Sequence, residues 1–189
     1  MIDLLLPGDF QVIVDAAEQG DETVDLCGMA ETITSSALVA LNSGEISRRV
    51  LPPASLARTD ACTLLDDATV RNVAGPGQVT RIPSFADWRC DWDYTTGPTQ
   101  VKVIFDRTSA DSIGGALARV GRYPARIQPQ GYSDTDCQVA LIYRSYVDQA
   151  GTQTDETALV DLDDKDRRPR QLCAPAQRLA TTVANRLAD

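Results

Sequence analysis

Apolar residues recur along the chain with two different spacings, and each spacing predicts one kind of element. A spacing of three to four residues is typical of a helix with one buried face, and a spacing of two is typical of a half-buried strand. The first pattern predicts helices over 23–41, 59–73 and 172–187, and a weaker one over 109–120 that Gly114 and Gly115 disfavour. The second predicts strands over 10–17, 85–94, 99–107, 137–146 and 157–162, with a polar turn over 148–156 and a charged loop over 163–170.

The pair Pro52 and Pro53 interrupts this pattern. Proline fits neither a helix interior nor a central strand, so residues 48–58 are predicted to form an extended connector. Residues 1–47 before it form a strand–helix segment, and residues 59–189 after it place several adjacent strands between helices. That order predicts an α+β domain, in which an antiparallel sheet is covered by helices.

Two amphipathic segments resemble each other and indicate an internal repeat. Residues 26–41 align without gaps to residues 172–187, with a shared Leu-Cys start and a shared final leucine, and residues 9–14 echo residues 136–141. On this interpretation residues 1–47 are the closing part of a preceding domain of the same type. The alternative is two unrelated amphipathic helices.

Composition excludes several classes of function. The chain has 189 residues, 43% of them hydrophobic, which is enough for a sizeable core. Its formal net charge of −9 disfavours contact with a phosphate backbone, so no nucleic-acid partner is predicted. It contains no histidine, which excludes Ser-His-Asp and Cys-His nucleophile systems and every histidine-ligated metal.

The five cysteines are widely spaced, and none forms a Cys-x-x-Cys pair. Zinc and thioredoxin-like sites need closer thiols, so the spacing favours disulfides in an oxidising compartment. We predict that Cys62 pairs with Cys90 and Cys137 with Cys173, because each pair joins neighbouring elements of opposite type, a helix and a strand. Cys27 is then a free thiol. The alternative is five reduced cysteines buried in a cytosolic protein.

Two tryptophans lie in the predicted strand over 85–94. In an extended chain Trp88, Cys90 and Trp92 share one face, so both indoles are predicted in the core. Stacking of a sugar or an aromatic ligand on these rings is the alternative. Four tyrosines could also contact a ligand, although no sequence pattern places them in one pocket: Tyr123, Tyr132, Tyr143 and Tyr146.

The carboxylates are the only acid–base groups present in quantity. Three clusters are candidates for a two-carboxylate hydrolase or a calcium site: Asp66 with Asp67, Asp91 with Asp93, and residues 161–166. None has a specific pattern, and residues 161–166 lack the glycine of an EF-hand loop, so solvated polar faces are predicted. Local neutralisation is expected between Arg167, Arg168, Arg170 and Asp161, Asp163, Asp164, Asp166. We therefore predict no catalytic residue, no metal and no cofactor.

Three segments carry a resemblance to a known group of domains: residues 60–70 with a Cys and two Leu, residues 85–92 with Trp and Cys, and residues 172–187 after a Leu-Cys start. Over residues 59–188 the chain resembles the cysteine-containing extracytoplasmic domains of actinobacterial cell-envelope lipoproteins and of transmembrane receptor Ser/Thr kinases. The resemblance implies an exported domain with two disulfides and a helix-packed sheet, and it brings no catalytic residues.

These observations lead to one expected function and two alternatives. We expect a non-catalytic extracytoplasmic ligand-binding or sensor domain at the cell surface, with an unidentified envelope ligand or protein as its partner. No signal peptide or membrane span is visible, so the membrane tether is expected outside this chain. The alternatives are a carboxylate-based hydrolase of cell-wall glycans and a structural protein-docking module. The ligand-binding residues are not predictable from this sequence.

Overall fold

The computed structural model describes residues 2–6, 10–17, 24–43, 52–148 and 150–187. The chain divides into two compact units, residues 1–50 and residues 51–189. Each unit is described separately.

The first unit contains a strand pair and a helix. Strands β1 (Ile2–Leu6) and β2 (Phe10–Val14) pair antiparallel, and helix α1 spans Leu26–Ser43. The apolar residues at three- and four-residue spacing that predict this helix are Val24, Cys27, Ala30, Ile33, Ala37 and Leu41. As an inner face they are partly wrong, because Cys27 and Ile33 are exposed while Ala30 and Thr34 are buried. Apolar residues lie on more than one side of α1, so their spacing does not specify a single buried stripe.

The second unit is built on one antiparallel sheet. Its strands lie in the order β3-β4-β5-β9-β8-β7-β6. The strands are β3 (Val79–Pro83), β4 (Arg89–Tyr94), β5 (Thr99–Ser109), β6 (Ala116–Val120), β7 (Tyr123–Pro129), β8 (Asp136–Val147) and β9 (Gln153–Asp164). Helices α2 (Asp67–Ala74) and α3 (Pro169–Arg186) complete the unit. The prediction of an α+β fold with an antiparallel sheet is confirmed.

Helix α3 packs on the central strands and closes the main core. Its inner residues Leu172, Leu179 and Val183 are fully buried against alternate residues of β8 and β9, such as Val139 and Val160. Because side chains alternate across a strand, the residues between these lie on the opposite face of the sheet. The face that α3 covers is called the helix face here, and the opposite one, which carries Gln138, Leu159 and Asp161, is called the polar face.

Both predicted disulfides are present. Cys62, in a short 3-10 helix (Ala61–Thr63), is bonded to Cys90 of β4. Cys137 of β8 is bonded to Cys173 of α3. Cys27 is the free cysteine among the described residues, and it is exposed. Two disulfides are typical of proteins that fold in an oxidising, extracellular environment.

The helix predicted over 109–120 is wrong. A single 3-10 turn (Ala110–Ser112) is followed by β6, and the strand β7 was not predicted. Gly115 lies between the 3-10 turn and β6. Its φ of +97° is a backbone conformation that residues with a side chain rarely adopt. Because β6 is exposed along most of its length, it has no apolar alternation to reveal it.

Two other predicted segments have different boundaries. The predicted helix over 59–73 is interrupted, because the Asp66 side chain caps a new helix, α2, by accepting a hydrogen bond from the backbone N–H of Thr69 at 2.7 Å. The end of the predicted connector 48–58 belongs to the second unit, since Ser55 and Leu56 are buried and a 3-10 helix (Leu56–Arg58) contacts β9.

The predicted repeat meets one difficulty in the strands. The similar sequences of residues 9–14 and 136–141 align β2 with β8. However, β2 is the strand directly before α1, whereas the strand directly before α3 is β9. The two helices are each 18 residues long and each follows an antiparallel strand pair. The repeat and the domain division of the chain stay predictions.

Candidate functional site

The polar face carries a continuous row of polar side chains across five strands. Antiparallel register places these residues directly opposite one another, so their side chains are neighbours on one face. From β4 to β7 the row is Asp91, Lys102, Asp161, Gln138 and Gln128. Its central members belong to β5, β9 and β8, which are the best-paired strands of the sheet. The position of the row is therefore fixed by the rigid part of the fold.

Asp161 is the buried carboxyl at the centre of this row. The residue is 0% exposed, and Lys102 Nζ donates to its Oδ2 at 3.1 Å. Burial raises the pKa of Asp161 to about 7, with Lys102 opposing the shift and the nearby Asp136 carboxylate adding to it. Asp161 Oδ1 has no hydrogen-bond partner.

Asp136 holds a loop over the polar face. Its carboxylate accepts hydrogen bonds from the backbone N–H groups of Gly131, Tyr132 and Ser133 at 2.6, 2.7 and 3.2 Å. A Cβ at Gly131 would overlap the side chain of Gln138, so glycine permits this close approach. The same anchor places Tyr132 near the row, where restricted hydration and the carboxylates of Asp106 and Asp161 raise the pKa of its phenol.

A cavity of about 150 Å³ opens beside this loop on the polar face. Its walls come from β5, β7, β8, β9 and the segment between β5 and β6. The lining residues are Asp106, Thr108, Ser112, Ile113, Gly114, Arg126, Gln128, Tyr132, Gln138, Ala140, Thr157 and Leu159. Asp106 is the one carboxylate among these described residues, and hydroxyl and amide groups supply most of the polar wall.

Two residues that line the cavity each contain a buried hydrogen-bond donor without an acceptor. Gln138 is only 9% exposed, and its Nε2 has no partner. Arg126 donates from Nη1 to the carbonyl of Gly115 at 3.3 Å, but its buried Nε–H has no partner. A buried donor without an acceptor costs roughly 1–3 kcal/mol. Gln138 and Arg126 therefore hold hydrogen-bonding capacity that the described part of the chain does not use.

Gln138, Arg126 and Lys102 were not predicted as site residues from the sequence. Gln138 and Lys102 could have been noticed, because each is a long polar residue within an otherwise apolar strand segment. Arg126 has no such signal, since the strand that carries it was not recognised.

The aspartates predicted to be solvated have several different environments. Asp161 and Asp164 are buried, which corrects the prediction for residues 161–166. They belong to β9, which continues into the acidic run as far as Asp164, so these two carboxylates come from a paired strand. Asp91 pairs with Arg89 at 2.7 Å. Asp66 caps α2, and Asp67 lies in its first turn.

The predicted arginine cluster is only partly neutralised. Arg167 lies 4.0 Å from the carboxylate of Asp164, and this is the one ion pair that the structure gives for Arg167, Arg168 and Arg170 in the described part of the chain. Arg168 and Arg170 are exposed at the start of α3. No group of acidic residues or cysteines in the described ranges is arranged to hold a metal ion.

The tryptophans and tyrosines are separated from one another. Trp92 is 0% exposed, as predicted, but Trp88 is 41% exposed, so the prediction of two core indoles is wrong for Trp88. Strand β4 begins only at Arg89, after a 3-10 turn (Phe85–Asp87), so strand alternation does not extend to Trp88. The tyrosines do not form one pocket: Tyr123 and Tyr143 pack 5.8 Å apart by ring centroids, Tyr146 lies under Arg144, and Tyr132 lines the polar cavity.

The comparisons with known proteins add no relative. No family model matches the chain, and no curated protein and no solved structure matches it significantly. None of the helices in the described ranges is long and apolar enough to cross a membrane. The resemblance to exported receptor and lipoprotein domains accordingly stays a prediction.

Proposed function

We propose that the second unit is a non-catalytic ligand-binding or sensor domain that functions outside the cytoplasm at the cell surface, on a protein whose membrane tether lies outside this chain. The observation that carries the proposal is the polar-face cavity, whose lining residues Gln138 and Arg126 each hold a buried hydrogen-bond donor without a partner, Nε2 and Nε respectively. Protein interiors leave few such groups unpaired, and ligand pockets combine a preformed wall with a few convergent polar groups.

The chemistry of the wall favours a ligand rich in hydroxyl and carbonyl oxygens, such as a fragment of a cell-envelope glycan. Four further residues with hydroxyl or amide side chains line the same cavity: Thr108, Ser112, Gln128 and Thr157. Two disulfides keep the sheet and α3 together in an oxidising environment. A hydrolase acting through two carboxylates gains no support from this cavity, because Asp106 is its single carboxylate among the described lining residues.

The test is a thermal-unfolding screen of millimolar glycan fragments against the wild-type chain, Gln138→Leu and Gln100→Leu. A ligand present at about 100 times its dissociation constant stabilises the folded state by about 2.7 kcal/mol, which raises the melting temperature by several degrees. We expect Gln138→Leu to lose this shift because it keeps the side-chain volume and removes the donor. Gln100, an amide on the polar face that hydrogen-bonds Asp93 instead of lining the cavity, is the matched control.

Two results would contradict the proposal. One is a screen in which no fragment stabilises the wild type. The other is a ligand whose shift is the same in Gln138→Leu as in the wild type.

A further inference from the structure

A second cavity, of about 180 Å³, lies at a different place on the sheet. It is lined by Ala57, Trp88, Phe105, Asp106, Arg107 and Glu156. Phe105 is two residues from Val103 on β5, and Glu156 is four residues from Val160 on β9, so each shares a sheet face with that buried core residue. This cavity therefore lies on the helix face. It is called the Trp88 cavity below. Of the described residues that line it, Asp106 also lines the polar-face cavity.

The buried charge at this cavity is Glu156, which is 2% exposed. Its Oε1 accepts a hydrogen bond from the Ser55 hydroxyl at 2.6 Å, and its Oε2 accepts from Arg144 Nε and lies 2.8 Å from Arg144 Nη2. Arg144 reaches this face because the register of β8 shifts between Ile142 and Arg144. One extra residue in a strand exchanges the faces of the residues after it. Arg144 therefore already balances the Glu156 charge.

Arg107 is a second cation beside the same carboxylate. Its Nη2 lies 3.7 Å from Glu156 Oε1 and 3.4 Å from Ser55 Oγ, longer than charge-assisted hydrogen bonds usually are. The neighbouring Asp106 alternates to the polar face, and its Oδ1 accepts a hydrogen bond from the backbone N–H of Arg107 at 2.7 Å. Two guanidinium groups thus face the Glu156 carboxylate. Arg107 is the one cation among the described residues that line the cavity, and only the longer contacts hold it there.

The opposite wall of the Trp88 cavity is aromatic. The Trp88 indole is 41% exposed, and its Nε1–H donates to the carbonyl of Ala57 at 3.4 Å. Phe105 is half-buried beside it. An indole left this open forgoes part of its burial energy, and its flat face attracts the C–H edge of a ring ligand.

We propose that the Trp88 cavity binds a small ring-bearing monocarboxylate, with the ring on the indole of Trp88 and the carboxylate on the guanidinium of Arg107. The planar guanidinium fork matches a carboxylate geometrically. The volume is below the range of about 300–1,000 Å³ typical of drug-sized ligands, so one ring is enclosed. The net charge of −9 on the whole chain disfavours a polyanion more strongly than a ligand with a single negative charge. Sugar acids and aromatic acids share this chemistry.

The test uses the fluorescence of the two tryptophans, of which only Trp88 is open to a ligand because Trp92 is fully buried. Glucuronate and benzoate are titrated at millimolar concentration, and glucose, benzyl alcohol and acetate serve as probes that lack the charge or the ring. We expect at least one ring carboxylate to change the emission and raise the melting temperature, and the three partial probes to do neither. A response to glucuronate alone identifies a sugar acid, and a response to benzoate alone identifies an aromatic acid.

Variants then test the residues. Arg107→Gln is expected to weaken the binding roughly 10- to 100-fold, the usual effect of losing a charge-assisted hydrogen bond, while the exposed strand residue Arg81 gives a matched control in Arg81→Gln. Trp88→Ala is expected to abolish the thermal shift and provides a second readout if Arg107→Gln fails to fold. Gln138→Leu should leave this binding unchanged, which separates it from the polar-face site.

The proposal is overturned if neither ring carboxylate acts on the wild type or if acetate acts equally well. It is also overturned if binding survives both Arg107→Gln and Trp88→Ala unchanged.

Discussion

At the residue scale, the buried Asp161 carboxyl makes the stability of the fold depend on pH in a specific direction. Its pKa is raised from 3.8 to about 7, so between these values the folded state holds a proton that the unfolded state has released. The stabilisation from this group is full below pH 3.8 and is lost as the pH rises towards about 7. The loss is at most about 4 kcal/mol, from about 1.4 kcal/mol per pKa unit.

We predict that Asp161→Asn removes this part of the pH dependence. The free energy of unfolding, measured by urea denaturation from pH 4 to pH 7, should fall less steeply in the variant than in the wild type. Asp111→Asn, at an exposed position in the 3-10 turn after β5, makes the same chemical change and should keep the wild-type slope. Equal slopes in Asp161→Asn and the wild type would show that Asp161 is ionised at pH 4.

Single residues differed in how well the sequence predicted them. The cysteine pairs were predictable because each disulfide joins segments whose type the pattern indicates, namely a strand with a helical segment. The burial of Asp161 was not, because four aspartates in six residues are typical of a loop, and only the pairing of β9 between β5 and β8 brings them into the sheet. The Arg107 cation was not predictable either, because its neighbours Glu156 and Ser55 lie about 50 residues away in the sequence.

At the element scale, α2 depends on the cap that Asp66 provides. The Asp66 carboxylate accepts a hydrogen bond from the Thr69 N–H and lies 2.6 Å from Arg186 Nη2 of α3. These contacts, led by the Thr69 N–H, lower the pKa of Asp66 to about 2. The stabilisation is therefore present above pH 3.8, the ordinary value, and is lost as the pH falls through about 2.

We predict that Asp66→Ala destabilises the second unit by about 1 kcal/mol at neutral pH, the usual cost of removing a helix N-cap. Arg186→Gln should cost less, because it removes an exposed ion pair and leaves the cap in place. Urea denaturation of both variants measures the difference. A larger loss in Arg186→Gln than in Asp66→Ala would place the energy in the contact between α2 and α3 instead of in the cap.

Elements were predictable where one face is apolar and were missed where it is not. Strands β4, β5 and β8 have clear alternation and were predicted close to their observed positions. Strand β6 is mostly exposed, and the helix predicted over 109–120 runs across the turn at Gly115. The extra residue in β8 that brings Arg144 to Glu156 has no sequence signature, since it is a matter of register between strands.

At the scale of the whole molecule, the sheet separates two different chemistries. Strand β5 contributes Thr108 to the polar-face cavity and Arg107 to the Trp88 cavity, because consecutive side chains point to opposite faces. The α+β class followed from the order of elements, but the insertion of β9 between β5 and β8 did not, since it pairs segments about 50 residues apart. Both candidate sites depend on that insertion, because Thr157 and Glu156 come from β9.

The oxidation state of the sulfur atoms tests the compartment and the covalent frame together. We predict that the unreduced, denatured protein reacts with an alkylating reagent at one thiol, Cys27, because the other four cysteines are paired. Intact mass measures the number of adducts, and a sample reduced beforehand should show five. Each loop of about 30–40 residues that a disulfide closes is worth roughly 3–4 kcal/mol in the chain-entropy model. Five adducts without reduction would remove both constraints and with them the case for an extracytoplasmic binding domain.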